Sequence, residues 1–593
     1  MASRIPYRES HRKLVIAFDI GTTFSGVSYS VLDPGQIPEI KGVTRYPDQE
    51  HVTGSSKIPT IIYYDSRGSV RAVGAEAVKD GILEMAIENG WTKADWFKLH
   101  LRPRTRSTEH IATEIPPLPP GKTVIQVFAD YLHYLFKCTS AYIKDSHANG
   151  HALWITLENH IDFVLSHPNG WEGPQQNQMR EAAVLAKLIP NTPEGHARIS
   201  FVTEGEASLH FSINNGFPSR TMNNGDGVLI VDAGGGTVDI SAYAKRSNAF
   251  AEIAAPQCYF HGSIFVTIEA RKLLSRLLSE SDFIADLDHI IRCFDKTTKH
   301  RFRDIEEPQF IKFGSTRDND EECSIRYGQL KLTGRDVASC FEPSVKCIVD
   351  TVVEQHRLAR QRFSHIILVG GFAASDYLHN RLRAMLEPNG FIVIRPENHV
   401  SKAVADGAIS FYLDHFVRTR VAKVTYGAFA NALYNPYNPE HREREGDTFV
   451  SMAGEKRVQG SFTVILPKNT QVSETQEFRS SFTQLYKLKT DFASLTSVVW
   501  CYRGVMAEPR WRDTDTRMYS KVCTIELDLS YFSRNTKDIK RHGAQGKFYR
   551  LDYDLVLLFG LTELKAQLAW MEKGVEKRSP AKIVYDPDST RED

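Results

Sequence analysis

The residues with the most legible chemistry stand in residues 228–243, VLIVDAGGGTVDISAY. The apolar run Val228 to Val231 reads as a buried strand that carries Asp232 to its end. Gly234, Gly235, Gly236 and Thr237 follow, and a second run then alternates Val238, Ile240 and Ala242 against Asp239 and Ser241. Strand, glycine turn, strand is a β-hairpin, unlike the strand–loop–helix of a P-loop or dinucleotide fingerprint. Adjacent glycines let bare backbone close on a phosphate, with N–H groups supplying the charge complement. Acids at both rims suit a Mg²⁺ held through water. The plainer reading is a tight hairpin whose glycines serve only the turn. Against it, the pattern recurs in residues 14–30, LVIAFDIGTTFSGVSYS, where an apolar strand leads to Asp19, Gly21, Thr22, Thr23 and an alternating strand.

Other elements must hold these hairpins in place. Residues 365–386 form an apolar strand, a glycine pair at Gly370 and Gly371, and a helix that begins near Ser375 with Asp376 in its first turn. Such a pair lets a ligand approach a helix N-terminus closely. Residues 199–202 read as a short strand into Thr203-Glu204-Gly205-Glu206, followed by a helix over 207–213. Helical spacing also marks residues 73–89, 124–144, 176–188, 265–278, 282–294, 336–363 and 400–415. Residues 58–64, 161–166 and 392–394 read as strands, and 298–335 as a small antiparallel sheet. Strands alternating with helices argue for an α/β architecture. After Tyr426 strands dominate, at 462–466, 475–482, 495–502, 524–529 and 549–558, with 565–572 either strand or short helix. Residues 435–446, NPYNPEHREREG, read as a linker or exposed loop.

At 593 residues the chain is too long for one core. A net charge of +1 gives no reason to expect nucleic acid as a partner. The polar start MASRIPYRESHRK lacks the apolar stretch of a signal peptide, and no run is long enough for a spanning helix. Eight scattered cysteines without a C-x-x-C pattern read as reduced thiols, hence a cytoplasmic expectation.

Taken together, FDIGTTFSGVSYS, TEGEASLHF, VDAGGGTVDIS, ILVGGFAASDYL and SKAVADGAISFYL arrive in the order of the actin/Hsp70/sugar-kinase superfamily. The chain most resembles the Hsp70 family, in the divergent group related to heat-shock 70 kDa protein 12, which WFKLHL and LPPGKTVIQVFADYL also resemble. SFTVILPKNTQVSETQEF is similar to the opening of the Hsp70 peptide-binding sandwich. The resemblance implies a two-lobed actin-like ATPase fold of two ribonuclease-H-like subdomains over residues 14–420. A disordered lead-in over 1–13, a β-rich, lidless substrate-binding-like domain over 421–580 and a tail over 581–593 complete the expected plan.

Carried onto this chain, the resemblance puts Asp19 and Asp232 at a hydrated Mg²⁺. Gly21, Thr22, Thr23, Gly234, Gly235, Gly236 and Thr237 would hold the phosphates of ATP or ADP, and Gly370, Gly371 and Phe372 would line the adenosine pocket. Glu204 and Asp239 would order metal-bound and attacking waters; Asp239 reads equally as a water-orienting group or a metal-shell ligand. Three segments depart from the family. Where Hsp70 places a lysine after Gly-Asp-Ala-Ala, this chain has Gly74-Ala75-Glu76-Ala77-Val78, and Lys79 comes one residue late, ~100° round a helix. An acidic segment is replaced by Gly262-Ser263-Ile264-Phe265-Val266-Thr267, and a Ser-Thr-Arg by Phe372-Ala373-Ala374. The expected function is a slow, Mg-dependent ATPase coupled to binding of unfolded client proteins and co-chaperones. The alternatives are a nucleotide-sensing scaffold with little hydrolysis and, behind it, a small-molecule kinase of the same superfamily.

Overall fold

A computed structural model describes residues 4–51, 56–103, 108, 110–171, 173–215, 217, 222–396, 402–535, 539–543, 546–560 and 563–583. The chain divides into two compact units, one of residues 1–171 and 175–417, the other of residues 418–593 with 172–174.

The first unit repeats one five-stranded topology. Its first sheet pairs β1 (Lys13–Ile20) antiparallel with β2 (Phe24–Leu32), and β2 with Lys41–Gly42. On the other side of β1 run β3 (Ile161–His167) and then β4 (Ile199–Thr203), both parallel. The second sheet pairs β5 (Gly227–Ala233) antiparallel with β6 (Val238–Arg246), and β6 with Ala249–Glu252. Beyond β5 lie β7 (Phe363–Val369) and β8 (Ile392–Ile394), again parallel. The mixed α/β architecture is thus two copies of a hairpin extended by two crossover strands.

Central strands here have no polar face. Every residue of β5 is buried. Leu229 and Val231 face one apolar cluster with Ala270, Leu274 and Val345, while Val228 and Ile230 face another with Leu209, Phe211 and Ala403. Helices on both faces explain why these strands read as unbroken apolar runs. The helix Val124–Ser146 covers the first sheet, and its capping box, Thr123 with Gln126, satisfies the N–H groups at its start. The helices Glu204–Asn214 and Ala403–Asp414 cross where Gly407 meets the backbone of Ala207, so close that a Cβ there would overlap the Ala207 carbonyl.

Several boundaries differ from the periodicity. The helix expected over 73–89 begins only at Ile82, because Val70–Val73 pairs as a strand and Glu76–Val78 is a single 3₁₀ turn. The region 282–294 splits into a 3₁₀ turn, Asp282–Asp286, and the helix Leu287–Cys293. Residues 4–12, expected to lead in without order, are tied down instead: Arg4 pairs with Asp414 at 2.9 Å, and the Tyr7 N–H donates to Gln36 at 2.9 Å. Residues 1–3, the start of the helix expected over 400–415, and 584–593 of the expected tail lie outside the described residues.

The second unit is a β-sandwich. One sheet has the order Thr448–Val450, Lys456–Leu466, Thr425–Leu433, Leu495–Tyr502, Tyr519–Leu527; the other contains Glu477–Tyr486, Gly546–Gly560, Glu563–Glu572 and Val575–Arg578. Val499, Cys501 and Ile525 from the first meet Leu555, Leu557 and Leu568 from the second in one core. The polar stretch over 435–446 is a loop within the first sheet and carries the short helix Pro439–Glu443. Residues 565–572 are strand. Among the described residues the α-helices of this unit are both short, Pro439–Glu443 and Ser530–Asn535. All eight cysteines are free thiols, and no helix among the described residues is long and apolar enough to cross a membrane.

Candidate functional site

The two hairpin turns meet. In the first sheet the register Ile20 opposite Ser25 leaves Gly21 to Phe24 between the paired positions. In the second, Ala233 opposite Val238 leaves Gly234 to Thr237, closed by the Gly234 N–H donating to the Thr237 carbonyl at 2.9 Å. A Cβ on Gly235 would overlap the Thr23 hydroxyl, and one on Gly236 the Thr22 hydroxyl, so the turns interlock only because these two positions carry no side chain. The carbonyls of Gly234, Gly235 and Gly236 accept from the N–H groups of Ser263, Ile264 and Gly262, at 3.1, 2.9 and 3.3 Å. The segment that departs from the family is therefore the start of the helix Ser263–Leu277, seated on the glycine turn.

Between the turns lies a cavity of about 280 Å³. It is lined by Asp19, Gly21, Thr22 and Thr23 from the first hairpin, and by Asp232, Gly234, Gly235, Gly236 and Thr237 from the second. Glu204, Gly370, Gly371, Val404 and two lysines, Lys57 and Lys98, complete the lining. The fold brings together Asp19, Gly21, Thr22, Thr23, Glu204, Asp232, the three glycines, Thr237, Gly370 and Gly371, all expected at the site.

Two expected residues do not line it. Asp239 is fully buried behind the wall, where its Oδ1 accepts from the Asn169 N–H at 2.5 Å, while its Oδ2 has no hydrogen-bond partner among the described residues. Phe372 turns its ring into the core against Phe341, 6.0 Å between centroids, so it offers no ring face to a ligand. Its 3₁₀ turn, Phe372–Ala374, aims the side chain inward.

The lysines were hidden in the sequence. Lys79 is exposed and paired with Asp48 at 3.2 Å, away from the cavity. Lys98 instead enters from the 3₁₀ helix Phe97–Leu101 and donates to Glu204 Oε1 at 2.5 Å, with only 3% of its side chain exposed. Lys57 donates to Asp19 Oδ2 at 2.5 Å, its stem lying over Gly26, which has no side chain to obstruct it. Lys98 sits between Phe97 and Leu99, both fully buried, on the same short helix.

Burial and crowding set the protonation of the acids. Burial first, and the Glu204 charge second, push Asp232 up to about 7, although Ser208 Oγ donates to it at 2.6 Å. Burial and then Glu204 raise Asp239 well above the usual carboxylate range. Burial also raises Glu204, against the opposing pull of Lys98. Burial works to strip the proton from Lys98, but Glu204 and Asp19 more than offset it, and the ammonium is held. The site therefore has more carboxylate than it has cation to balance.

That donor set suits a hard divalent cation. No group of three or more carboxylate, histidine or cysteine side chains among the described residues closes on one point. A cation here would thus take one or two carboxylates, with water and phosphate oxygens filling its shell, as Mg²⁺ does. Glycine positions divide the same way. Gly370, at φ +94°, cannot carry a Cβ without striking the Ala233 carbonyl and Asp232, whereas a Cβ on Gly371 would meet no protein atom within 4 Å. Gly371 faces open space beside the strand–helix turn.

No family model matches the chain. It is 25% identical over 512 residues to heat shock 70 kDa protein 12B of Homo sapiens, covering 72% of each. It is 23% identical over 504 residues to heat shock 70 kDa protein 12A of Mus musculus, covering 70% of this chain and 71% of the relative. The paired five-stranded sheets, the opposed hairpin turns and these relatives agree: the chain is a divergent Hsp70-like protein.

Proposed function

We propose that this Hsp70-like, nucleotide-binding protein takes Mg-ATP between its two hairpin turns and hydrolyses it slowly to ADP. The observation that carries the reading is the buried Lys98–Glu204 pair at the wall of a cavity edged by two glycine–hydroxyl turns. Phosphoryl transfer to water asks for positioning and charge neutralisation, with little covalent work from the protein. Backbone N–H groups at Gly21, Gly235 and Gly236, with the hydroxyls of Thr22, Thr23 and Thr237, are the donors for the phosphate oxygens. Lys57 and Lys98 supply fixed positive charge. Glu204, raised above the ordinary carboxylate range, is the wall group suited to orient a water and accept its proton. Asp239, sealed behind it, does not touch substrate. Asp19 and Asp232 would hold magnesium through water, and the ion would neutralise charge on the terminal phosphates. Gly370, Gly371 and Val404 would flank the nucleoside end.

The β-sandwich is the candidate for client binding, without a helical lid among the described residues. The free thiols support a reducing, cytoplasmic setting. A second reading, nucleotide binding with little turnover, is favoured by one feature: Asp239 is shut away from the cavity.

Single-turnover hydrolysis of Mg-ATP, with binding measured on the same samples, separates the two. Turnover lost in Asp232→Asn and reduced at least about 100-fold in Lys98→Ala supports the ATPase, a loss on the scale of removing one preorganised charge donor. Tight binding with turnover at the blank rate selects the sensing scaffold. Absence of binding overturns both.

A further inference from the structure

A second cleft, of about 910 Å³, opens on the first unit and shares no lining residue with the cavity between the hairpin turns. One wall is the last part of the helix Val124–Ser146, where Lys137, Ser140, Ala141 and Lys144 follow one another at helical spacing on a single stripe. Lys187 and Arg198 stand across from it. The stripe is a trough, with small side chains in its middle and a lysine at either end.

The cations are not neutralised by their own neighbours. Among the described residues, no carboxylate lies within ion-pairing distance of Lys137, Lys144, Lys187 or Arg198. Two of the four are held by rings: Lys144 Nζ lies 5.2 Å from the Trp154 centroid, and the Arg198 guanidinium 5.7 Å from that of Phe163. Of the two acids at the rim, Asp145 is already engaged by Arg45 at 2.8 Å, which leaves Glu158 as the one opposing charge without an ion-pair partner among the described residues. A cleft with such an excess of one sign concentrates counter-charged ligands.

We propose that this cleft docks an extended acidic segment of a partner protein. Spacing favours a chain over a single small anion. Lys137 and Lys144 stand two helical turns apart, a rise of ~10 Å, which one phosphate cannot span. Carboxylates three residues apart on an extended chain of polyproline-II twist lie on one face, ~9 Å apart. The small residues between the lysines leave room for main chain, and compact, strongly hydrated ammonium groups suit carboxylates that stay partly in water. The site is separate from the nucleotide cavity and stands whether or not ATP is hydrolysed.

The test is fluorescence anisotropy on the full chain with a labelled dodecapeptide carrying glutamate at every third position. Its glutamine counterpart serves as the neutral probe, and saturating Mg-ATP is present throughout to occupy the cavity between the hairpin turns. The variants are Lys137→Glu with Lys144→Glu, and Lys331→Glu, an exposed lysine outside the cleft, as the control; unchanged thermal melting checks that each is folded. The expected result is saturable binding of the acidic peptide alone, weakened at least about tenfold by the double variant and by raising salt from roughly 50 to 200 mM, and untouched by the control. Equal weakening by the control, no effect of the double variant, or no binding at low salt overturns the proposal. So does displacement by inorganic phosphate at the peptide's own concentration, which would mark a small-anion site.

Discussion

At the scale of single residues, the site turns on two lysines that reach it from unremarkable stretches. The Lys98–Glu204 pair is nearly out of water, 3% and 10% exposed, and removing one member strands the other. Lys98→Ala is therefore expected to destabilise the protein by about 3–5 kcal/mol, and adding Glu204→Gln to recover much of that loss. Urea titration of the two variants beside the parent checks it, and equal stability of single and double variants would refute the pairing. Glycines make a sharper pair of contrasts. Gly370→Ala is expected to lower stability, since its φ of +94° and its contact with the Ala233 carbonyl leave a methyl nowhere to go. Gly371→Ala is expected to melt like the parent, because no protein atom stands in its way, yet to weaken nucleotide binding. Calorimetric melting and titration of ADP into both variants separate the outcomes. Asp19, Asp232 and the hairpin glycines were legible as a repeated motif, because turn chemistry is local, whereas the role of Glu204 came only from the family resemblance. Lys57 and Lys98 were not, because a long side chain's destination depends on what it packs over.

At the scale of elements, the helices Glu204–Asn214 and Ala403–Asp414 hold the site by their closeness. Gly407→Ala would push a methyl into the Ala207 carbonyl and shift the helix that begins with Glu204. A cost of about 1–3 kcal/mol is expected, with nucleotide binding weakened although no cavity residue is changed. Denaturation and ligand titration on one preparation test both halves of that statement. The small residues Ala403, Ala405, Gly407 and Ala408 permit this close approach, and the tertiary fold supplies the helix they meet. The sandwich has its own electrostatic element: Glu477 accepts from Arg578 at 2.6 Å and from Arg479. The Arg578 and Arg479 hydrogen bonds hold its carboxyl down at about 2, from an ordinary 4.5. A depressed folded value means the unfolded chain takes up the proton first. The stabilisation is present above about pH 4.5 and lost as pH falls towards 2. Glu477→Gln is expected to flatten the acid limb of the melting temperature over that window; an unchanged limb would show the network contributes nothing there.

At the scale of the whole molecule, the cavity draws its lining from Asp19 to Val404, all within the first unit. Residues 1–417 expressed alone are therefore expected to bind ADP with the affinity of the full chain. Ligand at ~100 times its Kd should stabilise that unit by ~2.7 kcal/mol. Scanning calorimetry of the full chain with and without Mg-ADP reads the consequence. A shift confined to one transition means the units unfold independently, and a shift of both means nucleotide occupancy reaches the sandwich, as a coupled cycle requires.

The chain by itself determined what local rules govern. Its two Asp–turn–hydroxyl hairpins, its strand–glycine–helix turn and its change to β-rich texture near residue 426 follow from periodicity and turn chemistry, which act over a few neighbouring residues. Tertiary structure alone decided the rest. It seated the Gly262 to Thr267 segment on the glycine turn, sealed Asp239 behind the wall, turned the Phe372 ring inward, and replaced Lys79 with Lys98 opposite Glu204. Each of those outcomes depends on which distant backbone a residue is pressed against, and on the cost of leaving a buried charge without a partner.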